Sequence, residues 1–452
     1  MPAPNADAGA LLRSRGYLGL LLIAAILGVL VSAFAYGFLA LVGYLQREIF
    51  QHLPHGLGFS AAPAWWPLPV LAAGGAVAAL AITRLPGHGG PSPADGFRLH
   101  GAPAPAQLPG VLLAALATLV FGVVLGPEMP LIALGGGLAV LALRLIPRDL
   151  PDRAVRMVAA AGSFAAISTL LGSPLLGTFL LMEAAGLAGL AMELVLVPGL
   201  LGAGLGSLIF TGLGHWTGLG TFSLSIPGLP HSGAPDLAEF GWAVVIGIAA
   251  ALAGCGIRRL SLLLRGGADR WPLLVIPAAG LVVAGLAIAY RAGTGKPPSQ
   301  VLFSGQSALP GLTTHSAAYP AGTLALLLAC KGLAYGVSLS SFRGGPVFPA
   351  MFLGAAGGML LSQLPGLPVV AGVAMGIGAM SAVMLTLPLT SVLLATLLLA
   401  ADGVKLMPLV IVAVVVAYVT GARIVPQPAA SAASPGAGEA ARAATGQAGK
   451  GV

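Results

Sequence analysis

The sequence predicts an all-α polytopic membrane protein built of two repeated halves with broken and re-entrant helices. Three observations carry this. Hydrophobic residues make up 57% of the 452-residue chain and charged residues 8%, with mean hydropathy +0.97, whereas a soluble domain carries about 25% charge. The apolar segments are long Leu/Ala/Val/Gly runs, not the roughly ten-residue alternating segments of a transmembrane barrel. Finally, Gly126-Pro127-Glu128-Met129-Pro130 recurs in altered form as Gly345-Pro346-Val347-Phe348-Pro349.

Residues 1–16 are a short polar N-terminal segment with Arg13 and Arg15. The run 17–45 exceeds the roughly 20 residues that one crossing needs, so it tilts. It is also too long for a signal-peptide core. Apolar runs follow near 66–84, 109–125, 129–146, 154–171, 174–190, 193–213, 239–264, 271–290, 321–340, 347–361, 367–385, 389–401 and 404–420. Many are shorter than a full crossing. The 67 glycines and 36 prolines that punctuate the chain suit close helix packing and interrupted helices. Residues 214–238, with His215, Thr217, Ser223, Ser225, His231 and Asp236, read as an extramembrane connection between a first half, 17–213, and a second half, 239–426. The Ala/Gly/Ser/Pro-rich stretch 427–452 reads as a disordered tail, because such a composition buries too little apolar surface to order itself.

Charge sets the orientation. Arg258, Arg259, Arg265 and Arg270 place their loop on the cytoplasmic side with the N-terminus. Both termini are expected there, in a multi-pass protein of the cell membrane. The cluster Arg144, Arg148, Arg153 and Arg156 would then lie outside, against the charge rule. The net charge of +8 suits loops facing an anionic lipid surface, and no basic run points to nucleic acid. Cys255 and Cys330 lie in apolar runs and read as small core residues.

The repeat is two motifs deep. Ser173-Pro174-Leu175-Leu176-Gly177 follows the first pentapeptide, and Leu387-Pro388-Leu389-Thr390-Ser391 follows the second. Each Pro-Leu opens another apolar run, as proline at the first helical position does. Short interrupted segments at matching positions in two halves point to a site at the bilayer midplane. Helix starts carry unsatisfied N–H groups and the positive end of the dipole, so they suit anions. One copy of the pentapeptide carries a carboxylate. A glutamate at such a place is costly and marks a functional position.

These motifs resemble the CLC family of chloride channels and proton-coupled chloride antiporters, in order and spacing, over roughly 17–426. Gly89-Gly90-Pro91-Ser92-Pro93 is similar to the family's Gly-Ser-Gly-Ile-Pro, with the ion-touching serine falling on Gly90 and Ser92 nearby. Gly126–Pro130 resembles Gly-Arg-Glu-Gly-Pro, with Pro127 for the arginine and Met129 for the second glycine. Gly344-Gly345-Pro346-Val347-Phe348-Pro349 resembles Gly-Gly-Ile-Phe-Ala-Pro, and Gly354 keeps a later glycine. Gly172–Gly177 and Leu387–Ser391 resemble the family's two Pro-Leu runs. Two departures stand out. The family's ion-coordinating tyrosine falls on Pro426, and the internal proton-handling glutamate falls on Ala184, beside Glu183.

The resemblance implies an inverted repeat of two antiparallel halves, a homodimer in the lipid bilayer, and one pathway for chloride or a similar small anion in each subunit, with no cofactor and no metal. It implies a gate at Glu128, whose carboxylate would occupy the anion's place until protonation or a side-chain swing vacates it. Alternatively, Glu128 serves only its own helix. Gly126, Pro127, Met129, Gly344, Gly345, Pro346, Val347, Phe348, Pro349, Gly90 and Ser92 would line an uncharged filter, the donors being N–H groups of Val347 and Phe348 and hydroxyls such as that of Ser92. Phe348 is equally a packing residue. Glu183 is either a step on a proton path or a structural carboxylate paired with Arg or Lys. Glu193 has no motif behind it. Lys331 either raises anion occupancy by long-range attraction or is a snorkelling or ion-paired lysine. Arg343 adds positive potential or pairs with a carboxylate.

The function expected is therefore transmembrane anion transport, leaning to a passive channel because Ala184 stands at the proton position. The alternative is a proton-coupled chloride or fluoride antiporter on the same fold. A cation-coupled solute transporter is an outsider. A membrane-embedded enzyme is not expected, since all seven histidines fall in expected loops and no Asp-rich motif lies in a span.

Overall fold

The computed structural model describes residues 14–99, 101–145, 151–186, 189–217, 233–399 and 402–425. Its helices, in chain order, are α1 (Arg15–Arg47), α2 (Pro67–Arg84), α3 (Leu108–Leu119), α4 (Glu128–Arg144), α5 (Asp152–Leu171), α6 (Pro174–Ala185), α7 (Gly189–Thr217), α8 (Leu237–Arg270), α9 (Pro272–Thr294), α10 (Leu309–Thr314), α11 (Ala321–Ser341), α12 (Val347–Leu361), α13 (Val369–Leu385), α14 (Pro388–Leu398) and α15 (Gly403–Ile424). Among the described residues there is no β-strand, and the sole bridge joins Gly126 to Gly345. Seven helices are long and apolar enough to cross a membrane, while α6, α12, α13 and α14 are apolar but short.

The two halves correspond helix by helix. α1, α2, α4, α5, α6 and α7 match α8, α9, α12, α13, α14 and α15 in order. Equivalent pairs pack alike: α1 on α7 and α8 on α15, α4 on α5 and α12 on α13. Glycines mark the same contact in both halves. A methyl group on Gly135 would strike the carbonyl of Gly162, and one on Gly354 would strike that of Gly376. These four positions keep the same offsets from their pentapeptides and Pro-Leu motifs, so the repeat is deeper than its two motifs. Counterparts also meet one another, α2 against α9 and α6 against α14. α2 lies flush on α9 because Gly75 faces Pro277 and Gly280 faces Leu71 without side chains between.

Several expected boundaries shift. α1 does not stop at residue 45; it runs to Arg47 and continues through a π-helical turn, Glu48–His52, to Gly56. His52 and His55 are thus helical rather than in a loop, and His215 lies on α7. The run 109–125 is helical only to Leu119, and 120–127 is extended or turned chain that leads into α4. The run 174–190 breaks at Gly186, which closes α6 in the left-handed conformation at φ 59°. The connection expected at 214–238 is shorter, since α7 persists to Thr217 and Asp236 caps α8 by accepting from the Glu239 N–H at 2.8 Å. Most of that connection, Pro426 and the tail 427–452 lie outside the described residues.

Candidate functional site

The two pentapeptides meet. The Gly126 N–H donates to the Gly345 carbonyl at 2.8 Å, and the Gly345 N–H donates back to Gly126 at 2.6 Å. Each glycine is followed by a proline that serves as N-cap, so α4 begins at Glu128 and α12 at Val347. Neither cap residue offers a side-chain acceptor, leaving first-turn N–H groups of both helices open. Glu128 fills this place. It is fully buried, and its Oε1 accepts from the Phe348 backbone N–H at 3.0 Å, across the repeat boundary. Its Oε2 has no partner among the described residues. Glu128 therefore serves the facing helix and not only its own. The Phe348 side chain is core, 1% exposed, while its main chain supplies the donor.

Hydroxyls hold the surrounding peptides. Ser338 Oγ accepts from the Val124 N–H at 3.3 Å, Thr118 Oγ1 accepts from the Arg343 N–H at 3.3 Å, and Tyr335 Oη donates to the Pro346 carbonyl at 2.8 Å. Nothing in local pattern singles out these three residues. Their signal is a buried hydroxyl on an apolar helix, which must find a partner.

Two cavities are lined by residues that flank Glu128 in sequence. The larger, about 1070 Å³, is lined by Leu125 and Pro127 together with the 298–308 loop, Arg47 and Arg291. The smaller, about 340 Å³, is lined by Met129, Gly90, Pro91, Arg98 and Asp95 among others. Pro127 thus lines one cavity and Met129 the other, with the buried Glu128 between them in sequence.

The Gly90 region opens no α-helix, only a single 3₁₀ turn, Pro93–Asp95. Pro91, Pro93, Pro103 and Pro105 interrupt any helix, and Gly87, His88, Gly89, Gly90 and Gly96 all have positive φ. Gly90 reaches the small cavity, but Ser92 is half-buried, caps nothing and is not on that lining. Gly344 packs against Leu125, and Pro349 is buried within the first turn of α12.

Glu183, Lys331 and Arg343 find their hydrogen-bond partners largely on the main chain. Among the described residues Glu183 pairs with no cation. Its carboxylate accepts from the Leu389 N–H at 2.9 Å and from the Thr390 N–H and hydroxyl at 2.7 and 2.6 Å. It caps α14, whose own N-cap position is Leu387. The counterpart position in α6 is Ser173, which accepts from the Leu176 N–H at 3.2 Å. Ala184 packs against the core. Lys331 does not snorkel, and among the described residues it forms no ion pair. It is fully buried, and Nζ donates to the carbonyls of Gln300, Val301, Leu302 and Phe303 at 3.0 to 3.3 Å. The Arg343 guanidinium donates to the Phe342 carbonyl at 3.2 Å while its Nε has no partner. Arg265 pairs with Asp95, tying the Gly90 region to α8. Glu193 lies on α7 with its side chain outside the described residues. Among the described residues no cluster of His, Cys, Asp and Glu could hold a metal.

Comparison with known proteins agrees with this architecture. The Salmonella schwarzengrund (strain CVM19633) protein named "Putative ion-transport protein YfeO" is 31% identical over 354 residues, spanning 77% of this chain and 82% of its own. The fold is similar to that of a slow cyanobacterial Cl⁻/H⁺ antiporter, with TM-score 0.74 and 19% identity over 90% of this chain and 95% of that one. It is also similar to a CLC-type fluoride/proton antiporter, with TM-score 0.68 and 20% identity over 91% and 97%. The model of the voltage gated chloride channel family matches residues 74–422, and the chain belongs to that family.

Proposed function

We propose that the protein carries chloride or a similar small anion between the two cavities, and that the Glu128 carboxylate is the gate. The observation that carries this reading is the position of Glu128 between Pro127 on one cavity and Met129 on the other, with its oxygen on the Phe348 N–H. A halide fits the same donor. When the carboxylate is protonated or swings aside, the anion inherits the N–H group and the positive ends of α4 and α12. No cationic side chain donates to this point among the described hydrogen bonds, so binding by main-chain donors stays weak enough for release. Homodimeric assembly and cytoplasmic termini belong to the same reading.

Passive conduction is the first form of the proposal. Ala184 provides no proton acceptor at the family position, and Glu183 is engaged in capping α14. Proton-coupled antiport of chloride or fluoride is the second form. It is favoured by the similarity of the fold to two antiporters and by a gate that must itself gain or lose a proton to change charge. Chloride efflux from proteoliposomes, with simultaneous recording of proton movement, tests both. Chloride flux without proton movement supports the channel, stoichiometric counter-flow of protons supports the antiporter, and dependence on a sodium gradient instead of either would overturn the anion reading.

A further inference from the structure

The buried lysine of α11 is not explained by anything above. Four carbonyl oxygens surround Lys331 Nζ, and oxygens of this kind only accept. A neutral amine would set its lone pair against one of them, so the arrangement fits the ammonium. The Phe352 ring lies 4.5 Å away, one helical turn beyond Phe348 on α12. Among the described residues no carboxylate pairs with this charge. A buried cation held by dipoles alone leaves a net positive potential around it.

That potential falls on a polar loop. Because the carbonyls of residues 300–303 turn inward to the lysine, the chain emerges at Ser304 on the wall of the large cavity. Ser304, Gln306 and Ser307 all line it. The fold of this loop is fixed at both ends. The Phe303 N–H donates to the Gly122 carbonyl at 3.0 Å, and Gly305, at φ 89°, lies so close to Phe352 that no side chain fits. Ser304 Oγ accepts from the Gln306 N–H at 3.4 Å, leaving its own proton to donate, and Ser307 has no intramolecular partner among the described residues. Arg47 and Arg291 line the same cavity, and no Asp or Glu does.

We propose that Ser304, Gln306 and Ser307 form an anion-binding station in the large cavity, with Lys331 as the positioning residue and fixed charge behind it. The ligand is a small monovalent anion of halide size, held by hydroxyl and amide donors with no cation in contact. The station lies ahead of the Glu128 barrier and feeds it, so the proposal rests on the anion-transport reading.

Two variants and one crystallographic measurement test it. Lys331→Met removes the charge at similar volume. Half-saturating chloride in the flux assay rises on the order of tenfold, as for the loss of a nearby unit charge at intermediate dielectric. Maximal flux stays within about twofold, because uniform binding is what is lost. Ser304→Ala/Ser307→Ala leaves the lysine clamp intact and raises half-saturation about fivefold, the loss of a neutral hydrogen bond or two. Should Lys331→Met fail to elute as the wild type does, the double serine variant decides alone. Unchanged half-saturation, or a fall in maximal flux without a change in half-saturation, overturns the station. Crystals of the wild-type protein soaked in bromide should give an anomalous peak against Ser304 and Ser307. A peak at the Phe348 N–H with none at the loop overturns the station and leaves the transport reading standing. No bromide at either place, together with no chloride flux, overturns both.

Discussion

The Glu128 carboxylate lies 3.0 Å from the backbone nitrogen of Phe348, a residue of the opposite half of the molecule. Side chain and donor are contributed by equivalent helix starts, so the bond is a contact between repeats. Under the proposed function the carboxylate competes with an anion for the donor. Glu128→Gln keeps the volume and removes the charge. Anion flux in this variant should lose most of its pH dependence and any proton coupling should vanish, while anion binding persists. Unchanged pH dependence in a well-folded Glu128→Gln protein would make the glutamate structural.

Gly345→Ala should reach a similar state by steric means. A methyl group at position 345 would run into the Glu128 carboxylate and would lie 2.9 Å from the Glu128 Cβ, so the side chain must turn away and the start of α4 must give slightly. The carboxylate should leave the Phe348 N–H, raising flux at neutral pH relative to the wild type. A structure of Gly345→Ala with Glu128 still on Phe348, or flux at the wild-type level, would contradict this.

Glu183 carries a prediction of stability. It supplies the cap that Leu387 cannot, with two N–H groups and one hydroxyl as donors. Glu183→Ala should destabilise the folded protein by about 1–3 kcal/mol, the range for a lost cap with charge-assisted bonds. A lower melting temperature with unchanged proton-to-chloride ratio marks a structural role. An altered ratio at unchanged melting temperature marks a proton path.

Thr386 occupies the position equivalent to Gly172. Both have φ 60°, but only glycine adopts that conformation without strain. The Thr386 hydroxyl donates to the Leu385 carbonyl at 2.6 Å, a partial offset. Thr386→Gly should therefore stabilise by about 1 kcal/mol, the cost of a left-handed residue with a Cβ, read as a higher midpoint in thermal unfolding. A lower midpoint would mean that the hydroxyl outweighs the strain.

The repeat, the short broken helices and the location of Glu128 were legible because each depends on local pattern: proline at a helix start, an apolar run, one charge among apolar residues. Partners were less legible. Glu183 and Lys331 both stand in apolar runs, where a charge invites a search for an opposite charge. Their actual partners are main-chain groups of segments 206 and 28–31 residues away, which composition does not mark. The Gly90 region was legible only as a resemblance; the prolines and left-handed residues around it allow one 3₁₀ turn, which the motif does not reveal.

The doubly bonded pair Gly126 and Gly345 restricts how such a molecule can turn over. Many carriers with inverted repeats alternate by rocking one half against the other about a central site. Here the two helix starts are joined by reciprocal main-chain bonds, and a rocking cycle that parted them would have to break both each time an ion passed. Under the proposed mechanism the working stroke falls instead to a single side chain of three rotatable bonds, a motion of angstroms.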